Sequence, residues 1–292
     1  MMTRAREQAQ ARALAEGRRW WSTRAEQLII YGVLGTLALA YALPFFLMVS
    51  NSLKTPAEII RIPPALLPTA PSLESYRTVL SSAPYFTWYR NSLLVASSVT
   101  LLTLFTSSIA GYIFAKFEFP GKRVLFLLIL STMMVPFTVL LIPTYLIVHR
   151  LGLLNTLWAL IIPSSVSAFG VFLMRQFIAN IPTELIEAAR IDGASEFAIY
   201  ARVIVPLVRP ALATLGIFTF LGAWNDYLWP LVVLNDLDKM TLPLALTFFN
   251  STHAQRYDLV MASATMMVGP VFVVFLFFQR YIVRALVMTG LR

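Results

Sequence analysis

Residues able to do chemistry are scarce in this chain and fall in two places. The larger group is a mixed-charge island of Glu184, Glu187, Arg190, Asp192, Glu196 and Arg202, with uncharged apolar runs on both sides. The smaller is Asp226, which sits with Asn225 among Trp224, Tyr227 and Trp229 inside an apolar run. Neither reads as an enzyme site, because no cluster of His, Asp and Glu stands near a membrane interface to share acid–base work. The chain has no cysteine, which excludes disulfides, thiol chemistry and cysteine-ligated metals. Its two histidines, His149 and His253, are too few for a protein-built zinc or copper site. No G-x-x-x-x-G-K-[ST] string is present, and Gly121-Lys122 lacks the upstream glycine that phosphate cradling needs. If ATP drives anything here, another chain must hydrolyse it.

The elements that must hold these residues follow from composition. Of 292 residues, 58% are hydrophobic and only 13% charged, with a mean hydropathy of +0.73. Soluble domains carry roughly 25% charged residues, so this is an all-α integral membrane protein. The net charge of +9 then reflects basic loops rather than nucleic-acid binding. Charges are expensive in hydrocarbon, so the island at 184–202 must be in water between two spans. Its pattern is too regular for a slack connector. Leu185, Ile186 and Ala189 recur at helical spacing, Gly193 interrupts, and Phe197, Ile199 and Tyr200 resume. That predicts two short amphipathic helices joined at a glycine on the membrane surface, shaped for a partner.

Six runs are long enough to cross a bilayer, at about 20 apolar residues each: residues 28–49, 92–115, 124–148, 157–174, 211–234 and 259–278. The fifth contains Asp226, and several carry a proline that marks a kink (Pro44, Pro136, Pro143, Pro163, Pro230, Pro270). Residues 1–27 form an arginine-rich tail ending at Trp20 and Trp21, an interfacial anchor. The run that follows is too long for a signal peptide and has no small-residue cleavage pattern after it. With both termini in the cytoplasm, most of the 23 lysines and arginines fall on the cytoplasmic side, which supports that orientation and puts residues 183–206 in the cytoplasm. The transmembrane domain is then residues 28–285, with a short tail at 286–292. The outer loops are 50–91, proline-studded with short helices expected near 51–53 and 76–80, and 235–258, a polar segment. No internal repeat or low-complexity tract is visible.

Glu187-Ala188-Ala189, three residues, Gly193, nine residues and Val203-Ile204-Val205-Pro206 resemble the cytoplasmic EAA loop of ABC-importer permeases, E-A-A-x3-G-x9-I-x-L-P. Val203 and Val205 stand where the family usually has Ile and Leu, a change that keeps apolarity and size class. The string through Ser195 resembles the carbohydrate-uptake branch. Asn51-Ser52-Leu53-Lys54-Thr55, Phe119-Pro120-Gly121, Trp224-Asn225-Asp226 and Phe278-Gln279-Arg280-Tyr281 resemble the second permease of maltose-type systems. The resemblance covers residues 28–285. It departs at Ala285, where the family often has glycine, and in the altered tail.

The resemblance implies a type I ABC-importer permease fold in a bacterial or archaeal cytoplasmic membrane. The implied partners are a homologous second permease, two ATPase subunits that hold ATP and Mg, an extracytoplasmic substrate-binding protein, lipid and a sugar. It implies no cofactor, metal or catalytic residue in this chain. Glu187, Ala188, Ala189, Asp192, Gly193 and Pro206 would form the ATPase-coupling element, with Glu187 meeting a basic residue and the alanines allowing close approach. The plain alternative for Glu187 is a solvated acid near a helix N-terminus. Trp224, Asn225, Asp226 and Tyr227 suit a sugar path, since aromatic faces and hydrogen-bonding groups fit hydroxylated rings; the alternative is an interhelix lock with a tryptophan belt. Asn250, Thr252, His253 and Gln255 lie where the maltose-type permease reaches into its binding protein, or in an ordinary connector. Another polar solute, such as glycerol phosphate or a polyol, fits the same loop. A secondary transporter does not, because only Asp226 is an intramembrane ionisable residue.

Overall fold

The computed structural model describes the backbone of residues 2–252 and 256–290, with side chains for residue 24 and for residues 26–249, 256–273 and 276. Among the described residues it is helical, with no strand. α1 (Met2–Ser52) runs from the basic tail through the first apolar run, and α2 (Pro56–Ile59) and α3 (Glu74–Ser82) follow before α4 (Tyr85–Lys116). Then come α5 (Lys122–Thr132), α6 (Phe137–Arg150), α7 (Trp158–Ser164), α8 (Ala168–Ala179), α9 (Thr183–Ile191) and α10 (Glu196–Ile199). A π-helical turn (Tyr200–Ile204) leads to α11 (Val205–Leu207), α12 (Arg209–Trp224), α13 (Leu228–Val233), a 3₁₀ turn (Leu237–Lys239), α14 (Leu242–Thr252) and α15 (Tyr257–Gly290).

α4 is the central column, packed most extensively on α8 and α12, while α1, α3 and α12 lie against α15. Small residues set the closest approach. A Cβ placed on Gly111 of α4 would lie 2.6 Å from Met174 Cβ of α8, and one on Gly170 would lie 2.3 Å from Ser107 Oγ. Ser107 and Gly111 on one helix, and Gly170 and Met174 on the other, are each four residues apart. This is the small-residue spacing that lets helices pack backbone to backbone where water provides no driving force.

Two of the expected runs are unbroken helices long and apolar enough to cross a membrane, Glu26–Ser52 and Tyr85–Lys116. Two others are bent, and both breaks have readable causes. α5 and α6 meet at 101° around Pro136, which is extended (φ −60°, ψ 139°) and biases Val135 away from helix. α7 and α8 meet at 42°, where Ser167 caps α8 by accepting the Gly170 N–H at 3.0 Å. The run at 211–234 is not one helix, contrary to the sequence expectation. α12 stops at Trp224, the Asn225 side chain turns back to donate to Leu221 O at 2.9 Å, and α13 restarts after Tyr227. Pro44, Pro143, Pro163 and Pro270, expected as kinks, lie inside helices.

Residues 235–252 are also more than a polar connector. Most of them form α14, which buries Leu242, Leu244, Ala245 and Phe249 against the N-terminal part of α4. Trp88 Nε1 donates to Leu237 O at 2.6 Å, Asn91 Nδ2 to Asp238 O and Met240 O, and the Leu242 N–H donates to Ser92 Oγ at 2.8 Å. Nothing in the local polarity of this stretch announces those partners, since they lie about 150 residues away. Residues 50–69 are tied similarly. Buried Lys54 donates to Asn51 Oδ1 at 2.7 Å and to Ala65 O, and Glu58 Oε1 accepts the Thr69 N–H at 2.6 Å.

Candidate functional site

The EAA-like segment forms the predicted helix–turn–helix, and its motif spacing has a local physical cause. α9 ends at Ile191, and Gly193 takes the left-handed conformation (φ 80°). The Ala194 N–H then donates to Ala189 O and the Gly193 N–H to Arg190 O, both at 3.0 Å. These are the paired bonds of a Schellman closure, which require a residue with positive φ four positions after the one whose carbonyl takes the longer bond. Ala189 and Gly193 occupy those two positions. Ser195 then opens α10 by accepting the Ala198 N–H at 3.3 Å. Pro206 closes the motif just past the π-helical turn. It has no N–H to return to Arg202, and the ladder slips to the wider spacing in which Val205 N–H bonds Tyr200 O. The chain then bends by 80° into α12.

Below this turn the segment is anchored. Ile186, Ile199 and Ile204 are almost fully buried with Tyr112 of α4, Met174 and Ile178 of α8, and Leu215 of α12. Burying an isoleucine stabilises by about 1.5–3 kcal/mol, so the loop is held firmly to the bundle. Polar contacts add direction. Arg190 Nε donates to Glu196 Oε1 at 2.6 Å across the glycine turn, and Tyr112 OH donates to Glu196 Oε2 at 2.9 Å. Tyr200 OH and Ser108 Oγ of α4 lie 2.6 Å apart. The Arg190 guanidinium holds the Glu196 carboxyl below the usual carboxylate range, with Tyr112 assisting. Above the turn, Glu187, Ala188, Asp192 and Gly193 are exposed, and so are Ile191 (86%) and Phe197 (68%).

The second place is the break after α12. Asp226 lines a partly open cavity of about 190 Å³ with Ser164, Thr219, Pro230 and Thr241. Its Oδ1 accepts the Trp229 N–H at 3.4 Å, so it also caps α13, and Trp229 Nε1 donates to Ala159 O at 2.9 Å. Thr241 Oγ1 is buried without a hydrogen-bond partner among the described residues.

Comparisons with known proteins bear on both places. The family described as "Binding-protein-dependent transport system inner membrane component" matches residues 107–288, which include the helix–turn–helix and the Asp226 break. The chain belongs to that family. The permease is 36% identical over 259 residues to the arabinooligosaccharides transport system permease protein AraQ of Bacillus subtilis, covering 88% of this chain and 92% of that one. It is 34% identical over 237 residues to the sn-glycerol-3-phosphate transport system permease protein UgpE of Salmonella typhi, covering 78% and 84%. Among solved structures it superposes, with a TM-score of 0.79 and 28% identity, on a chain of a bacterial ABC transporter involved in the import of the acidic polysaccharide alginate, covering 89% of this chain and 97% of that one. It is thus a non-catalytic membrane subunit with the type I ABC-importer permease fold.

The permease brings together part of the coupling group singled out in its sequence. Glu187, Ala188, Asp192 and Gly193 share the exposed side of the turn, while Ala189 is half-buried beneath it and Pro206 lies at its far end. The group at 224–227 is divided. Trp224 is sealed in the core, stacked on Phe220 (5.7 Å) and edge-on to Tyr89, so its ring presents no face to a ligand in this conformation. Asn225 and Tyr227 are exposed, and only Asp226 lines the cavity. Asn250 and Thr252 fall in α14 with side chains beyond those described, and His253 and Gln255 lie outside the described residues. Sequence reasoning missed the brace, Tyr112 and Ser108 above all. A charged pair six residues apart across a glycine was a visible signal for Arg190 and Glu196, but nothing marked their partners on α4.

Proposed function

We propose that this chain is one of two permease subunits of an ATP-driven importer for a mono- or oligosaccharide, with residues 183–206 as its contact to the ATPase subunits. The observation that carries the reading is the braced turn. Three buried isoleucines and the Glu196 bonds give it a rigid base, while Glu187, Ala188 and Ile191 of α9 stand exposed with Asp192 at its end. An exposed apolar residue, Ile191, one turn from a charge on a loop that cannot easily fold away suits a docking face. Glu187 would meet a basic residue of the ATPase, and Asp192 would border the contact.

In this reading the six spans are α1, α4, α5 with α6, α7 with α8, α12 with α13, and α15. The bias of lysine and arginine supports placing both termini and residues 183–206 in the cytoplasm of a bacterial or archaeal cell, with 50–91 and 235–258 outside. ATP and Mg belong to the two ATPase subunits. Their closure would move the turn as a rigid body, and the Tyr112 and Ser108 contacts would carry that motion into α4, so that a cavity shared with the second permease alternates its opening. An extracytoplasmic binding protein would deliver substrate, with Asn250, Thr252, His253 and Gln255 near its contact. Asp226, flanked by Asn225 and Tyr227, is the candidate on the path. The arabinooligosaccharide and alginate relatives support a carbohydrate, and the sn-glycerol-3-phosphate relative supports a second reading, a small polar phosphate ester.

The test is uptake by the complete importer, assembled in proteoliposomes with its cognate binding protein. ATP-dependent, vanadate-sensitive accumulation of a labelled oligosaccharide is expected. Accumulation of glycerol 3-phosphate alone would favour the second reading, and vanadate-insensitive uptake would reject both.

A further inference from the structure

A basic groove lies beside the coupling turn and has no part in it. It is an open recess of about 710 Å³ between the Glu118–Gly121 connection, the start of α5 and the end of α8, and its charged residues are Glu118, Lys122, Arg123 and Arg175. Lys122 Nζ pairs with Glu118 Oε1 at 2.8 Å, and Arg123 is exposed and has no carboxylate partner among the described residues. Arg175 is held in a fixed pose. Its guanidinium lies 4.3 Å from the centre of the Phe126 ring, and its Nε donates to Phe114 O at 3.2 Å. Its terminal nitrogens have no acceptor among the described residues.

Three cations against one carboxylate leave an excess of positive charge, and a guanidinium fixed by its Nε presents a planar fork suited to paired oxygens. What lies next to it selects the class of anion. Immediately past Arg123, Val124, Leu125, Leu127 and Leu128 of α5 are each about half exposed or more, a continuous apolar face that only acyl chains or another apolar surface would cover. We propose that this groove binds the phosphate of an anionic phospholipid, with Arg175 and Arg123 on the head group and an acyl chain along α5. Basic pockets between membrane helices at the cytoplasmic interface recognise such head groups. The groove is at the same end of the bundle as the coupling turn, since Lys116 at the end of α4 donates to Ala179 O and Ile181 O just before α9. Only the choice of the inner leaflet rests on the orientation proposed above.

Retention of lipid by the purified, fully assembled importer tests this without any transport readout. The complex is exchanged into nanodiscs containing equal phosphatidylglycerol and phosphatidylcholine, released into detergent, and its bound lipid is measured by native mass spectrometry. Phosphatidylglycerol is expected to be retained over phosphatidylcholine. A basic residue near a membrane surface contributes about fivefold in affinity, so Arg175→Gln with Arg123→Gln is expected to weaken retention about thirtyfold. Arg175→Lys, which keeps the charge and loses the fork, falls between. Should Arg175→Gln fail to assemble, exposed Arg123→Gln alone still reads the site, with about a fivefold loss. Equal retention of the two lipids, unchanged retention in the variants, or displacement of phosphatidylglycerol by millimolar inorganic phosphate would overturn the proposal.

Discussion

Within the proposed ATPase contact, Gly193 is the residue that can be perturbed most cleanly. Nothing lies within 4 Å of a Cβ built on it, so alanine there meets no clash, and its only cost is the left-handed backbone at φ 80°. That conformation costs an L-residue about 1–2 kcal/mol, which corresponds to about a 5- to 30-fold shift from the closed turn toward open ones. Asparagine tolerates the same region, so Gly193→Asn is expected to lose less than Gly193→Ala, and a β-branched Gly193→Val more. The direct readout is hydrogen exchange at the Ala194 amide, whose bond to Ala189 O closes the turn. Its protection is expected to fall about 5- to 30-fold in Gly193→Ala, within a permease that still inserts and assembles. The functional readout is substrate taken up per ATP hydrolysed by the assembled importer, which should fall in the same order. Equal protection and equal coupling across Gly, Asn, Ala and Val would refute the reasoning, as would a loss that follows side-chain volume alone.

Three further outcomes are expected. Glu196→Gln removes the charge that Arg190 and Tyr112 hold, and should loosen residues 190–197 to proteolysis at neutral pH while leaving expression intact. Because the Glu196 carboxyl is held below its ordinary value, the brace is complete above about pH 4.5 and is lost only as pH falls through the lowered value, so cleavage in the unmutated protein should not change between pH 6 and 8. Gly111→Ala places a carbon 2.6 Å from Met174 Cβ and is expected to cost about 1–3 kcal/mol, read as a lower melting temperature of the detergent-purified protein, whereas Gly216→Ala, 3.4 Å from Leu104 Cδ1, should be near neutral. Asp226→Asn keeps an oxygen to accept the Trp229 N–H, so folding is expected to survive with uptake reduced; a folding loss alone would favour the interhelix lock over the sugar path.

What was legible in the sequence was local or compositional. The membrane class follows from the scarcity of charge, because hydrocarbon admits few ionised groups. The helix–turn–helix follows from the spacing around Gly193, because a Schellman closure is built from five or six consecutive residues and no distant partner is needed. Two readings that packing refined share a cause. Trp224 reads either as part of a sugar path or as part of an interhelix lock, and residues 242–252 read as part of a polar loop; both pack on α4, more than a hundred residues away, through Tyr89 and through Ser92. Tyr112 and Ser108 were invisible for the same reason, since their value lies only in reaching Glu196 and Tyr200. Period and composition name the elements and the one motif that closes on itself. Which face each element turns inward, and which charge steadies the turn, depends on contacts between residues far apart in sequence, and only the packed bundle decides those.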